Sequence, residues 1–221
     1  MTPTLANAYE PCLAAAGAAP LADLVAPLRA AFVARVGAFV PTDPWFEERA
    51  AALWDRVLTD RGVLARLRAA DGGLGGTHDD ALVALTRAQR GLFDVHAGGA
   101  HVDLVCRLTG AAFRLSAADA AGRALGSGRG VVDDVAPGTI DARVVPTREG
   151  VAILPGMLVH PAEATALLPP IVARARELGL PDDTLLDALL AMRHRHASLS
   201  RMKVKQIYRA ELLETLIERG P

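Results

Sequence analysis

Apolar residues in the first part of the chain recur with the period of an α-helix. Between residues 21 and 40 they fall three and four positions apart, and Pro41 ends the pattern. Asp43 is then the predicted N-cap of a second helix with the same spacing. A glycine-rich stretch at 71–76 predicts an exposed loop before a third helix. We therefore predict a helical segment over residues 1–90.

After residue 90 the apolar period changes from 3.6 residues to 2, which is the period of a β-strand. Residues 101–108 alternate apolar and polar positions. Gly98-Gly99 before them is a hairpin signal, because the preferred two-residue turn needs positive φ at both central positions. Further strands are predicted at 112–116, 131–135, 139–145 and 151–158. This series of short strands predicts a small antiparallel β-barrel or a strongly curled sheet over residues 91–160.

Beyond Pro161 the helical period returns. Pro169-Pro170 interrupts it, and two further helices are predicted at 182–196 and 209–218. We predict that this C-terminal helical segment, residues 161–221, packs against the first one. The predicted fold class is therefore α+β, with a small antiparallel sheet between two helical segments.

The composition is that of a globular protein. Of the 221 residues, 51% are hydrophobic and 22% are charged, and the mean hydropathy is +0.24. These values exclude collagen-like, disulfide-scaffold and intrinsically disordered chains. The net charge is -1, so the chain as a whole lacks the excess of basic residues of a dedicated nucleic-acid or anionic-membrane binder. Any such partner must be met by a local basic patch.

Cysteine usage and the N-terminal sequence indicate a cytoplasmic protein. Cys12 and Cys106 are far apart and belong to no Cys-x-x-Cys or Cys/His motif, which favours reduced thiols and excludes structural zinc held by thiolates. The first twenty residues contain no Lys or Arg, so they lack the basic region of a signal peptide. No run of about 18 apolar residues is available to span a bilayer. We expect no membrane association.

The predicted hairpin brings four potential metal ligands to one face of the sheet. With Gly98-Gly99 as the turn, His96 faces His101, and Asp94 faces Asp103. Two imidazoles and two carboxylates are adequate ligands for zinc or another divalent transition metal. The alternative is an ordinary solvated polar face, which alternation predicts for any half-buried sheet.

A second candidate site is a local concentration of positive charge near the C-terminus. The stretch 193–209, called the basic segment below, contains no acidic residue. Its candidate partner-binding residues are Arg193, Arg195, Arg201, Lys203, Lys205, Tyr208 and Arg209. Cations with a stacking aromatic suit either an acidic protein surface or the phosphates of a nucleic acid. The alternative is that these cations offset a helix macrodipole and pair with acidic residues of the same chain.

No motif points to a catalytic site or a bound cofactor. The glycine stretches at 71–76 and 126–130 are not followed by the Lys-Ser or Lys-Thr of a phosphate-binding loop. No serine lies in a Gly-x-Ser-x-Gly motif. We therefore predict no catalytic residue and no cofactor.

Three runs of sequence resemble a small β module found in uncharacterised bacterial proteins. They are Arg-Gly-Leu-Phe-Asp-Val at 90–95, Asp-Leu-Val-Cys-Arg-Leu-Thr-Gly at 103–110 and Gly-Thr-Ile-Asp-Ala-Arg-Val-Val-Pro at 138–146. Some proteins with this module also carry a cysteine-rich zinc motif, which is absent from this chain. The resemblance implies a compact barrel that serves as a structural or binding module in a cytosolic protein, and it implies no catalytic residues.

From these observations we expect a non-enzymatic binding or adaptor protein that acts in the cytoplasm through protein–protein interaction. Two alternatives stay open from the sequence. One is a nucleic-acid-associated protein that uses the basic segment. The other is a metal-dependent enzyme that uses the hairpin face formed by Asp94, His96, His101 and Asp103.

Overall fold

The computed structural model of the chain describes most of the sequence. The described residues are 5–69, 74–98, 101–116, 137–148, 150–199 and 201–219. They form helices towards both ends of the chain and a barrel-like antiparallel sheet between them. The predicted α+β class is therefore confirmed.

Five α-helices precede the sheet within the described residues. They are α1 (Leu5–Ala16), α2 (Ala22–Val36), α3 (Phe46–Leu58), α4 (Arg61–Ala69) and α5 (Leu74–Leu85), with a 3-10 turn at Ala19–Leu21. The apolar period predicted α2 and α3, whereas α1 has no counterpart among the predicted elements. The glycine-rich stretch predicted as a loop lies partly in α5, and its residues 71–73 are outside the described part of the chain.

The connection between α2 and α3 differs from the sequence prediction. α2 ends before the predicted boundary, because Gly37 adopts a positive φ of 85° that departs from the helical path. α3 begins at Phe46 with Trp45 as its N-cap, so the prediction of Asp43 as the N-cap is wrong. The Asp43 carboxylate instead accepts a hydrogen bond from the Val40 amide, 2.9 Å away, and closes the turn between the two helices.

The sheet is antiparallel and nearly closed into a barrel. Its strands are β1 (Gln89–Ala97), β2 (His101–Cys106), β3 (Ala112–Ser116), β4 (Gly138–Thr147), β5 (Gly150–Ile153) and β6 (Leu158–Val159). The order is β3-β2-β1-β4-β5, and β6 pairs with β4 beside the part of that strand that β5 does not cover. The predicted strand at 131–135 lies outside the described residues.

Four α-helices follow the sheet in the described part of the chain. They are α6 (Leu168–Glu177), α7 (Asp182–Ser198), α8 (Val204–Ile207) and α9 (Ala210–Arg219), after a 3-10 turn at Ala162–Ala164. α6 ends in a Schellman motif. Gly179 takes a φ of 64° and donates to the Arg176 carbonyl, and the next amide, of Leu180, donates to Ala175.

Strand β4 has both faces covered. Ile140, Ala142 and Val144 point into the barrel and pack in its apolar core, whereas Val145 on the opposite face packs against the N-terminal helices. The residues that alternate with the barrel-facing ones, Thr139, Asp141 and Arg143, are also buried. Helices of the flanking segments therefore cover a polar stripe that a half-buried sheet would expose to water.

Among the described residues, no single helix is both long and apolar enough to cross a membrane. The bent pair formed by Leu5–Ala16 and Ala19–Val36, whose axes meet at 79°, reaches the required length and composition only when both helices are taken together.

Candidate functional site

The basic segment comprises the end of α7, the short helix α8 and the connections on either side of α8. Five of its predicted partner-binding cations are exposed: Arg195, Arg201, Lys203, Lys205 and Arg209. Arg209 pairs with Glu211 at an N–O distance of 3.2 Å. The other four form no ion pair with a described residue. Four cations that pair with no carboxylate in the described part of the chain therefore face solvent along one short stretch.

Arg193, the first cation of the segment, packs against the rest of the protein. Its Nε atom donates a hydrogen bond to the backbone oxygen of Val159, 3.0 Å away. Its guanidinium carbon lies 3.7 Å from the ring centroid of Trp45, which is a cation–π contact. Arg193 therefore joins α7 to β6 and to the start of α3, and its charge is held against the fold.

Tyr208 lies near the other end of the basic segment and is 2% exposed. Its hydroxyl is 3.0 Å from Nδ1 of His160, and the two rings meet edge to face. The ring of Tyr208 is therefore not accessible for stacking with a partner that binds this surface. This burial corrects the sequence-based placement of Tyr208 as a stacking side chain, and it shows that the residue instead anchors α8 to the chain after β6.

One apolar side chain lies among the exposed cations. Leu199 directly follows α7 and is 39% exposed, whereas the nearby Met202 and Val204 pack on the C-terminal core. The exposed part of the basic segment is therefore a mixed surface, with charges on both sides of a leucine in the sequence.

The β1–β2 hairpin differs from the predicted one by two residues in register. His96 pairs with Asp103 rather than with His101, and the Gly98 amide donates to the His101 carbonyl oxygen at 2.8 Å. Residues 99 and 100, between the paired ends of the two strands, lie outside the described residues. A shift by two keeps every side chain on its predicted face but changes its cross-strand neighbour.

Both carboxylates of the predicted metal site are bound to arginines. Asp94 accepts hydrogen bonds from Arg107 Nε at 2.7 Å and from the Thr139 hydroxyl at 3.0 Å, and Asp103 accepts one from Arg114 Nε at 2.7 Å. No group of three or more His, Cys, Asp or Glu side chains able to hold a metal occurs within the described ranges. The predicted ligands Asp94, His96, His101 and Asp103 are therefore not assembled into a metal site.

A cluster of charges with a buried centre, which the sequence analysis missed, lies where the sheet meets both sets of helices. Arg90 donates two hydrogen bonds to Asp141, at 3.1 and 2.8 Å, and a third to Asp187 at 2.6 Å. Asp187 also accepts hydrogen bonds from Arg35 at 3.2 Å and from Arg56 at 3.1 Å. We call these five residues the ionic network. It joins β1, β4, α2, α3 and α7, and so connects all three parts of the chain.

Opposite charges in the ionic network keep Asp187 and Arg90 ionised although both side chains are buried. Burial opposes the ionised form of Asp187, but the guanidiniums of Arg90, Arg56 and Arg35 hold its pKa below the ordinary range. Burial likewise opposes the cationic form of Arg90, but Asp141 and Asp187 more than offset this effect and raise its pKa.

Arg143 adjoins the ionic network without entering it. It lies directly opposite Arg90 in the β1–β4 pairing and is 8% exposed, and its guanidinium makes no hydrogen bond to any described residue. Burial, followed by the charge of Arg90, lowers the pKa of Arg143 to about 10. Arg143 therefore remains a cation at neutral pH although it is buried and forms no hydrogen bond to a described residue.

Asp55 forms a second buried polar contact beneath the sheet. One carboxylate oxygen accepts a hydrogen bond from the Tyr9 hydroxyl at 2.6 Å, and the other accepts one from the Gly156 amide at 2.7 Å. Burial raises the pKa of Asp55 to about 6. Asp55 is 0% exposed and Tyr9 is 4% exposed, so this pair holds α1, α3 and the β5–β6 turn together and does not face solvent.

His160 is a buried neutral side chain. Burial, followed by the charges of Arg193 and Arg107, lowers its pKa to about 3. Nδ1 meets the Tyr208 hydroxyl, and Nε2 has no hydrogen-bond partner among the described residues. The histidine is therefore an internal contact of the basic segment.

The sequence did carry one signal for the missed cluster. Thr139, Asp141 and Arg143 alternate with apolar residues, which predicts a strand with one polar face. The same alternation occurs when the polar face of a strand is exposed to solvent and when helices that carry complementary charges cover it. The sequence alone therefore does not distinguish the two arrangements.

The chain was compared with protein-family models, with curated proteins and with solved structures. None of the three comparisons finds a match. The resemblance to a bacterial β module therefore stays a prediction.

Proposed function

We propose that this protein is a non-enzymatic binding or adaptor protein that docks an acidic surface of a partner protein through its basic segment. The observation that carries the proposal is the set of four exposed cations without an ion-pair partner in the described structure: Arg195, Arg201, Lys203 and Lys205. Exposed cations that no carboxylate of their own chain neutralises are free to attract an anionic surface.

The composition of this surface favours a protein over a nucleic acid. Binding of single-stranded nucleic acid combines cations with exposed aromatic rings, and the one aromatic side chain of the basic segment, Tyr208, is buried. Leu199 instead supplies an exposed aliphatic group two positions before Arg201 in the sequence, and apolar groups bordered by polar ones are typical of protein interfaces.

The segment is held in place before a partner arrives. Arg193 at one end stacks on Trp45, and Tyr208 at the other end meets His160. A surface whose backbone is already fixed loses little conformational entropy on binding. These two anchors support a binding role for the stretch between them.

The test is a triple charge reversal with a matched control. We compare the wild-type protein with R201E/K203E/K205E and with R29E/R61E/R66E, whose arginines are exposed on α2 and α4. Each variant changes the net charge equally. Partners are captured from an extract of the source cells, identified by mass spectrometry, and titrated as purified proteins. We expect the first variant to weaken binding at least about tenfold and the control to bind like wild type.

The same experiment separates the alternatives. Unfolding midpoints of all three proteins are measured first, so that a loss of binding is read only from folded protein. Equal recovery by both variants would exclude the basic segment as the docking surface. Recovery that disappears after nuclease treatment would replace the protein partner with nucleic acid.

A further inference from the structure

A small pocket lies between α6 and the turn that follows β2. It is an open depression with a volume of about 250 Å³, and it is lined by Arg107, Pro169, Val172, Ala173 and Arg176. The helix and the turn that line the pocket do not belong to the basic segment. The lining combines two guanidinium groups with three apolar residues.

Arg107 is held in a fixed position beside the pocket. Its Nε atom donates to Asp94 at 2.7 Å, and the same carboxylate oxygen accepts a hydrogen bond from the Thr139 hydroxyl at 3.0 Å. The Thr139 hydroxyl is in turn 3.2 Å from that of Thr165. This chain of contacts orients the Arg107 guanidinium, whose two terminal amino groups have no acceptor among the described residues.

Arg176 is held by the opposite wall. Its Nη2 atom donates to the backbone oxygen of Leu108 at 3.0 Å, while Nε and Nη1 have no acceptor in the described structure. Arg174 on the same helix is instead paired with Glu177 and Glu214. Two guanidiniums and one paired carboxylate, that of Asp94, leave a net positive charge at the pocket.

The apolar part of the lining is one face of α6. Pro169, Val172 and Ala173 fall at the three- and four-residue spacing of a helix face, and Arg176 continues the same face one turn later. An apolar floor next to fixed donors is the usual arrangement of a small-ligand site, in which few polar groups orient an apolar body.

We propose that this pocket binds a carboxylate carried by a small aliphatic body, with Arg107 and Arg176 as the carboxylate donors. Carboxylates accept paired hydrogen bonds from guanidinium groups, and such charge-assisted bonds are among the strongest in proteins. Because both arginines are already positioned by Asp94 and by the Leu108 carbonyl, the ligand does not have to order them. The same chemistry is offered by a free short-chain acid and by the C-terminal residue of a polypeptide.

The experiment titrates the full chain with four probes, followed by two-dimensional NMR of the backbone and arginine Nε–H groups. N-acetyl-leucine represents a chain end, and hexanoate represents a free acid. N-acetyl-leucinamide keeps the apolar body without the charge, and inorganic phosphate keeps an anion without the apolar body. We expect saturable shifts of the Arg107 and Arg176 signals with the two carboxylates, and binding at least about tenfold weaker with the amide and with phosphate.

Two substitutions test the location without disturbing the core. Arg176 and Ala173 are both exposed, so substitutions at these positions are expected to leave the core intact. R176Q removes the guanidinium donors of Arg176, and A173F fills the pocket with a larger side chain. We expect either substitution to weaken carboxylate binding at least about tenfold. R66Q, which removes an exposed charge on α4, is expected to bind like wild type.

Each outcome decides the proposal. Equal binding of N-acetyl-leucine and its amide, tighter binding of phosphate, or unchanged affinity in both pocket variants would overturn it. No saturable shift with either carboxylate would also overturn it. When the carboxylates bind as expected, tighter binding of N-acetyl-leucine assigns the pocket to a chain end, and tighter binding of hexanoate assigns it to a free acid.

Discussion

Arg90 and Arg143 lie directly opposite each other on β1 and β4, on the face of the sheet that the helices cover. Like charges in direct cross-strand positions repel each other. Arg90 is compensated by three hydrogen bonds to Asp141 and Asp187, whereas Arg143 makes no hydrogen bond to a described residue. We therefore expect these two neighbouring arginines to affect the free energy of unfolding in opposite directions.

Replacement of Arg90 by Met is expected to lower the free energy of unfolding by about 3–5 kcal/mol, because it leaves Asp141 and Asp187 buried without their main partner. Urea denaturation followed by circular dichroism measures the loss. Arg68→Gln is the control, since the Arg68–Asp79 pair is nearly half exposed on both sides and contributes at most about 1 kcal/mol. Equal losses in the two variants would contradict a stabilising role of the ionic network.

Replacement of Arg143 by Met is expected to leave the free energy of unfolding within about 1 kcal/mol of wild type, or to increase it. The substitution removes a buried cation that faces Arg90 and replaces it with an apolar side chain of similar length. The same urea titration measures the change. A loss as large as that of Arg90→Met would show that Arg143 is needed to neutralise Asp55 and Asp141.

Asp55 gives the stability of the protein a defined pH dependence. Burial raises its pKa from 3.8 to about 6 in the folded state, so between these pH values the folded protein binds more protons than the unfolded chain. The contribution of this group to stability is therefore fully present below pH 3.8. It is lost as the pH rises through about 6, by about 3 kcal/mol in all.

Asp55→Asn removes this titration. The amide oxygen can accept the hydrogen bond from the Gly156 N–H, and the amide NH2 group can donate to the Tyr9 hydroxyl oxygen, which reverses the direction of that bond. Between about pH 4 and about pH 8 we expect the stability of the variant to rise relative to wild type by about 3 kcal/mol. Urea denaturation of both proteins at a series of pH values gives this difference. A difference that does not change with pH would show that the carboxyl group is not raised in pKa by the fold.

Gly156 is expected to be intolerant of a side chain. A Cβ atom at this position would lie 2.5 Å from the Ala52 Cα and 2.7 Å from an Asp55 carboxylate oxygen, so the β5–β6 turn would have to move away from α3. We expect Gly156→Ala to lower the free energy of unfolding by about 1–3 kcal/mol, as measured by thermal and urea unfolding.

Gly17→Ala is the matched control for this substitution. A Cβ at Gly17 meets nothing closer than 3.5 Å, so we expect a change of less than about 1 kcal/mol, towards greater stability. Were both variants to behave alike, the close approach of the turn to α3 would not be the cause of the loss.

Much of the fold follows from local patterns. The apolar period of 3.6 residues predicted α2 and α3, the period of 2 predicted β1 and β2, and Gly179 ends α6 by a local backbone conformation. The hairpin register was predicted two residues out, because two adjacent loop choices, 98–99 and 99–100, both contain a glycine and preserve the same faces.

For the candidate sites too, the sequence predicts some features and only the structure shows the others. The charge of the basic segment is visible in the sequence, because it depends on the absence of acidic residues over 193–209. Which of its side chains face solvent is not visible there. Arg193 and Tyr208 look like their exposed neighbours in the sequence, and they are anchored only because Trp45, Val159 and His160 come from distant parts of the chain.

The sequence by itself determined the α+β class, the helical and strand periods and the local excess of cations, because each depends on residues close together along the chain. The tertiary structure alone decided that the polar face of β4 is buried. Asp141 is separated from Arg90 by 51 positions and Asp187 by 97. A charged residue at an alternating position of a strand can face solvent, or it can be buried against an opposite charge from a distant segment. Which of the two occurs is decided only when the helices pack over the sheet.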